Sequence, residues 1–237
     1  MAARDWSDRL DELIARKRLL ESPESRSAEA AAALRELRLW QAARLARTYR
    51  DFHENPRYSP AVDFFLTDLY GPQEFTHRNA DLSRAWRYLK RALPAAAMKV
   101  LGQAIELDVL TLELDHAMVH ALAAAPVNET AYAAAYRRIG DRASRARQIE
   151  LIVAIGEDLA RIVRRAWLGP LLYAAHGPAH AAGFGALQDF LERGYRAFRH
   201  MQDAGRLMQA IRERETAYMQ SLLSNPAKPQ EAAGARA

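Results

Sequence analysis

The segment YSPAVDFFLTDLYGP, residues 58–72, carries the densest structural signal in the chain. Ser59 is a favourable N-cap residue, and Pro60 suits the first helical position, where its missing N–H leaves no hydrogen bond unmade. Gly71 favours a left-handed helix end, and Pro72 prevents the helix from continuing. These residues predict about three turns of helix between Ser59 and Gly71.

This predicted helix carries apolar side chains on two sides. Val62, Phe65 and Leu66 share one face, whereas Phe64 points away from it. A helix on the surface of a domain needs only one apolar stripe. We therefore expect this helix to lie in the interior of the protein, with the rest of the fold packed around it.

Length and composition limit the class of protein. The chain has 237 residues, of which 50% are apolar, so it can bury a sizeable core and is not a disordered protein. The net charge is +5, but the basic residues are mostly interspersed with acidic ones, which argues against a dedicated nucleic-acid binder. Binding to anionic membranes or nucleic acid through arginine-rich helix faces stays as an alternative.

Cysteine is absent from the chain, which excludes disulfides, thiolate metal sites and a cysteine nucleophile. The N-terminal residues contain acidic side chains and no apolar core of a signal peptide. No apolar run approaches the roughly 20 residues that a transmembrane helix needs. These features predict a soluble protein of the cytoplasm.

Apolar residues recur at helical spacing through most of the chain, and no sustained alternation indicates strands. The sequence predicts an all-α fold: one bundle-like domain of about eight or nine helices. Residues 1–26 are predicted as an amphipathic helix and linker, 27–224 as the helical domain and 225–237 as a disordered tail. The first helix could dock on its own domain or bind a membrane surface or a partner.

The helical segments themselves follow from the positions of apolar, capping and breaking residues. They are expected at about 5–20, 28–53, 59–70, 76–92, 95–124, 129–139, 142–167, 179–200 and 203–223. Gly156 lies within the most regular apolar stripe, where it would let another helix approach closely. Gly169-Pro170 is expected to kink or break the chain, and Gly177-Pro178 to break it again.

One group of potential metal ligands lies on the predicted helix 95–124. Glu106, Glu113, His116 and His120 fall within one arc of that helix. The Glu113–His116 spacing matches the carboxylate–imidazole pair of ferritin-like di-iron bundles, although no second such pair is present. A polar flank on a half-buried helix is the alternative interpretation.

Other candidates are more scattered. His176 and His180 are four residues apart, but the intervening Gly177-Pro178 gives no assurance that they share a helix face. Asp63 and Asp68 could act as buried acid–base groups, because burial raises the pKa of a carboxyl group. Pairing with one of the abundant arginines is the alternative for both aspartates.

Two motifs resemble those of a known family. FFLTDLYGP (residues 64–72) and ALQDFLERGYRAFRHM (residues 186–201), followed by RERE (residues 212–215), are similar to motifs of an uncharacterised, proteobacterial-type family of helical proteins. The similarity covers most of residues 30–220. It implies a single helical domain and carries no activity over to this chain.

The sequence favours a non-enzymatic module that binds a protein partner or a small ligand between its helices. No cofactor is predicted. The enzymatic alternative is a metal-dependent oxidoreductase, ferritin-like or haem-oxygenase-like, with iron, zinc or haem held by the Glu/His group. Association of copies of this chain through helix faces is a further option.

Overall fold

A computed structural model describes residues 3–20, 27–69 and 94–224. Over these ranges the protein contains ten α-helices, one π-helical turn and no strand, which confirms the predicted all-α class. The elements are α1 (Ala3–Leu20), α2 (Ala28–Thr48), α3 (Arg50–His53), α4 (Ser59–Phe64), the π turn (Phe65–Leu69), α5 (Ala95–Leu122), α6 (Glu129–Ile139), α7 (Arg142–Ile162), α8 (Leu168–Ala181), α9 (Gly185–Met201) and α10 (Gly205–Leu223). None of the described helices has the length and hydropathy needed to cross a bilayer.

Helix α5 is the centre of the bundle, with α1, α2, α6 and α7 packed around it. Leu107, Leu110, Leu114 and Ala121 recur at helical spacing on one face of α5; Leu114 and Ala121 are buried, and Leu107 and Leu110 are half-buried. The buried surface extends well beyond that face, because neighbours on several sides cover the helix. It also includes Ile105, Val109, Leu112 and Met118.

The expected helix starts are confirmed where a polar side chain caps the backbone. Ser27 Oγ accepts a hydrogen bond from Ala30 N, and Asn128 Oδ1 accepts one from Ala131 N. Asp141 Oδ1 likewise accepts one from Ser144 N at 3.0 Å. Each of these side chains satisfies an amide that has no partner within its helix. This local chemistry fixes the starts of α2, α6 and α7.

The segment around residues 58–69 differs in detail from the prediction. Tyr58, not Ser59, is the N-cap of α4, because the carbonyl oxygen of Tyr58 accepts the first helical hydrogen bonds. The helix passes into a π turn at Phe65. The predicted stop at Gly71-Pro72 and the predicted helix 76–92 lie outside the described residues, as does the predicted tail.

The expected interior position of α4 is confirmed only for its apolar sides, because Asp63 and, in the π turn, Thr67 are exposed and the other helices pack around α5 instead. Val62 and Phe64 point in different directions and both are buried. Phe64 packs on Phe190 of α9, with ring centroids 5.2 Å apart, and also contacts Gly194, whose lack of a Cβ leaves the ring room. The π turn contacts α2, and its Phe65 packs edge-on against Phe198 of α9, with ring centroids 5.9 Å apart.

Helix α1 packs on α5 rather than standing away from the domain. Trp6, Leu10 and Ile14 are buried in a cluster with apolar residues of α5. The indole of Trp6 occupies the space where a Cβ at Gly102 would stand. Of the two expectations for this helix, docking on its own domain is the one that the structure shows.

The prediction that Gly177-Pro178 breaks the chain is wrong: α8 continues through Pro178 to Ala181. The missing N–H of Pro178 leaves the carbonyl of Ala174 without its helical partner. Ala174 is exposed, so water can bond that carbonyl. Gly169-Pro170 falls in the first turn of α8, where the proline lacks only an amide that would be unpaired in any helix.

Candidate functional site

The candidate residues predicted from the sequence lie in different parts of the structure. Asp63 has a side chain that is 55% exposed and lies 2.8 Å from His53, so the burial expected for this carboxylate is absent. The side chain of Asp68 lies outside the described part of the chain.

The Glu/His group on α5 is not gathered around one point. Glu106 Oε1 accepts hydrogen bonds from Arg147 at 2.9 and 3.0 Å and pairs with Arg9 at 3.1 Å, while Glu113 pairs with Arg16. His116 is half-buried and His120 is exposed. Among the described residues, the one set of three potential ligands that converges is His176, His180 and Asp189, on α8 and α9.

A cavity of about 110 Å³ lies where α2, the π turn, α5, α7 and α10 meet. Part of its wall is apolar and includes Leu66, Ile149, Ile152 and Ile211, together with Phe65 of the π turn. The wall also carries four charged residues, Asp115, Arg44, Arg145 and Glu215. We call this space the central cavity.

Two of the polar groups form a tight pair. Arg44 Nη1 donates to both carboxylate oxygens of Glu215, at 2.7 and 2.8 Å, and the Tyr49 hydroxyl donates to Glu215 Oε1 at 2.9 Å. Burial, reinforced by the negative charge of Glu215, raises the pKa of Tyr49 well above its ordinary value. Tyr49 therefore remains a neutral donor, and the charges of Arg44 and Glu215 compensate each other.

Asp115 is also compensated. Its side chain is 2% exposed, and Arg38 Nε donates to its Oδ2 at 3.0 Å. Gln41 Nε2 donates to the other carboxylate oxygen at 3.3 Å. A buried carboxylate needs such partners to offset its lost hydration. Both negative charges of the cavity wall are thus taken up by arginines of α2.

Arg145 differs from these groups because no carboxylate in the described residues forms a salt bridge with it; the exposed Asp141, four residues earlier, interacts with its charge without a direct contact. The residue is 8% exposed, and its Nη1 donates only to the neutral amide oxygen of Gln148, at 3.3 Å. Its Nη2 is buried and has no hydrogen-bond partner in the described structure. A buried cation in this state carries an uncompensated desolvation cost.

The ring beneath Arg145 does not supply the missing charge. The Arg145 guanidinium lies 4.7 Å from the ring centroid of Tyr136, a cation–π contact. Burial raises the pKa of Tyr136 to about 12, so the phenol stays protonated near neutral pH. The wall of the central cavity therefore keeps one positive charge in excess, on Arg145.

Sequence reasoning missed Arg145, Asp115 and Glu215, although a signal for them was present. Arg145 lies four and seven residues before Ile149 and Ile152, and therefore on the same helical stripe. Glu215 continues the stripe of Leu207 and Ile211 in the same way. A charged residue at a position where helical spacing expects an apolar one marks a buried polar site.

Comparison with known proteins identifies the family of the chain but assigns no function. A family model described as "Domain of unknown function (DUF8198)" matches residues 21–229. No curated protein matches the chain, and no solved structure matches it.

Proposed function

Since the chain belongs to the DUF8198 family, whose description assigns no function, we propose a role from its own geometry: a non-enzymatic module that binds a small carboxylate ligand in the central cavity. The observation that carries the proposal is Arg145, a buried residue that lines the cavity and whose guanidinium includes an Nη2 without a hydrogen-bond partner in the described structure. A ligand carboxylate would supply the charge-assisted hydrogen bonds that Arg145 lacks.

The charges of the cavity wall favour a ligand that carries a single negative charge. Arg44 is neutralised by Glu215 and Arg38 by Asp115, which leaves the charge of Arg145 to be matched. A dianion would place a second buried charge without a partner. A neutral ligand would leave Arg145 uncompensated.

The apolar residues of the cavity wall determine the chemical character of the ligand beyond its carboxylate. Leu66, Ile149 and Ile152 offer no hydrogen bonds, so the body opposite the carboxylate should be hydrocarbon. A cavity of about 150 Å³ holds benzene. The central cavity, at about 110 Å³, therefore limits the ligand to at most about six non-hydrogen atoms, as in a short or branched aliphatic acid.

Isobutyrate is a suitable probe, and isobutyramide is its matched neutral control. We expect calorimetric titration to give a dissociation constant on the order of 0.1 mM for isobutyrate, which corresponds to roughly 0.9 kcal/mol per non-hydrogen atom. Isobutyramide should bind at least about tenfold more weakly, because it offers no charge to Arg145. Equal affinity for the acid and the amide would contradict the proposal.

Replacing Arg145 by methionine should separate binding from stability. The variant should bind isobutyrate at least about tenfold more weakly, since a hydrogen bond to a charged group contributes about 1.5–3 kcal/mol. Its free energy of unfolding should stay the same or rise, because an apolar side chain of similar length replaces an unpaired buried charge. Urea denaturation and calorimetry measure the two quantities.

A different result for Arg145→Met would count against the proposal. If the variant binds isobutyrate as well as the parent protein does, the ligand does not contact this guanidinium. If instead the variant is strongly destabilised, Arg145 has a structural partner that compensates its charge without a ligand.

A further inference from the structure

Two histidines of α8 lie on one face of the helix, because the helix continues through Pro178. His176 and His180 are one turn apart, and their ring centroids are separated by 4.5 Å. Histidines at i and i+4 can bind the same metal ion, with both imidazoles reaching it from one side. This pair is independent of the central cavity, since neither residue lines it.

Helix α9 brings two carboxylates to the same face. Asp189 Oδ1 lies 3.0 Å from His180 Nε2, and Glu192 Oε1 lies 2.8 Å from His176 Nδ1. One ligand atom from each of His176, His180 and Asp189 lies within 4.8 Å of the other two. Three donor atoms from two helices therefore surround one point at the surface.

The spacing of these atoms is close to that of a zinc site. With Zn–N and Zn–O bonds of about 2.0–2.1 Å, two ligand atoms of a tetrahedral ion lie roughly 3.3 Å apart. The pair formed by His180 and Asp189 already has nearly this separation. A small rotation of the exposed His176 side chain would bring its ring nitrogen to a similar distance from the other two ligand atoms. We propose that His176, His180 and Asp189 bind a zinc ion that links α8 to α9.

Glu192 is placed to orient the ring of His176, one of the proposed ligands. Its carboxylate accepts a hydrogen bond from Gln188 Nε2 at 2.9 Å and faces His176 Nδ1 at 2.8 Å. A carboxylate that holds the second ring nitrogen of a ligand histidine orients the ring and raises its basicity.

The ring of His180 is held in place by a close contact with α9. A Cβ at Gly185 would lie only 2.7 Å from His180 Nδ1, so glycine is what lets the imidazole approach the start of α9. His176 and His180 are nevertheless 52% and 42% exposed at their side chains. An ion can therefore enter from solvent, and its fourth position is open to water.

A link of this kind would have a structural purpose. No residue of α8 is buried, so apolar packing holds this helix only weakly. Its described contacts are mainly with α9, including the hydrogen bond from Gln188 Nε2 to the carbonyl of Leu172. Zinc would fix α8 against α9 through three side chains.

The test uses untagged, full-length protein purified without chelator, with zinc chloride as the probe. Calorimetry should show one zinc ion per chain. His180→Ala and His176→Ala should each weaken binding by about a hundredfold or more, and Glu192→Gln by about 10- to 100-fold. Both histidines are exposed, so circular dichroism of the variants should match that of the parent.

His53→Ala is the matched control. His53 is an exposed histidine 2.8 Å from an exposed carboxylate, that of Asp63, but it belongs to no group of three ligands in the described structure. Its replacement should leave zinc affinity unchanged. A loss of affinity in this variant equal to that of His180→Ala would show that zinc binds without regard to this geometry and would overturn the proposal.

Hydrogen exchange distinguishes a structural link from simple binding. Zinc should slow the exchange of amides in residues 168–181 in the parent protein and not in His180→Ala. Absence of stoichiometric zinc binding, or zinc affinity that is unchanged in His180→Ala, would overturn the site. Zinc binding without slower exchange in α8 would overturn the link between the two helices.

Discussion

Replacing Glu215 by alanine is expected to lower the free energy of unfolding by about 3–5 kcal/mol. The change leaves the guanidinium of Arg44 in the interior without the carboxylate that accepts two of its hydrogen bonds. It also removes the acceptor of the Tyr49 hydroxyl. The Arg44 and Glu215 side chains are only 16% and 13% exposed, so water cannot fully replace the lost partner. Urea denaturation monitored by circular dichroism measures the loss.

Two further variants test the cause of this effect. Glu215→Gln keeps the size of the side chain but not its charge, and it should lose less stability than Glu215→Ala. The double variant Arg44→Met/Glu215→Met removes both charges, and it should be more stable than Glu215→Ala, because no buried charge is left unpaired. A double variant that is less stable than Glu215→Ala would show that the ion pair is not the source of the effect.

Replacing Gly156 by valine should lower the free energy of unfolding by about 3 kcal/mol, at the upper end of the range for overpacking. A Cβ at Gly156 would stand 2.0 Å from Met208 Sδ and 2.9 Å from its Cε. Met208 is 1% exposed and has little room to move away. The change would therefore force α7 and α10 apart. Thermal or urea denaturation gives the value.

The control for this variant is Gly177→Ala, in the exposed helix α8. No atom lies within 4 Å of a Cβ built at Gly177, so its replacement should change stability by less than about 1 kcal/mol. Truncating Met208 to alanine should make room for the introduced valine and reduce the cost of Gly156→Val by at least about 1 kcal/mol. An equal cost with and without the Met208 side chain would contradict the packing explanation.

Much of the fold follows from local signals in the sequence. Ser27, Asn128 and Asp141 are residue types that favour the N-cap, and each lies directly before a predicted helix and caps it. The regular stripe of α7 predicted a close approach at Gly156, and Met208 of α10 fills that space. These features depend on few neighbouring residues, which is why spacing and residue type suffice to predict them.

The predictions from the sequence are wrong or incomplete where the position of a helix in the fold, and not its own residues, decides its structure or burial. A proline inside a helix usually breaks it, yet Pro178 is tolerated because α8 lies at the surface and its unpaired carbonyl can meet water. Helical spacing on α5 indicates one apolar face through Leu107, Leu114 and Ala121, whereas helices on several sides bury more of its surface. Neither outcome can be read from the segment alone.

The candidate site was only partly accessible from the sequence. His176 and His180 were recognised as a pair, but their convergence with Asp189 depends on how α9 packs on α8. Arg145 interrupts an apolar stripe, a pattern that indicates a buried charge but not its surroundings. The central cavity is built from segments far apart in the chain, from α2 to α10, so its shape appears only in the folded structure.

Isobutyrate is expected to occupy the central cavity with its carboxylate on Arg145, and nuclear Overhauser effects between ligand and assigned protein methyl groups report this position. We predict contacts with Leu66, Ile149 and Ile152, which line the cavity, and loss of these contacts in Arg145→Met. Contacts with methyl groups elsewhere, or none with saturating isobutyrate, would show that the ligand does not bind in the central cavity.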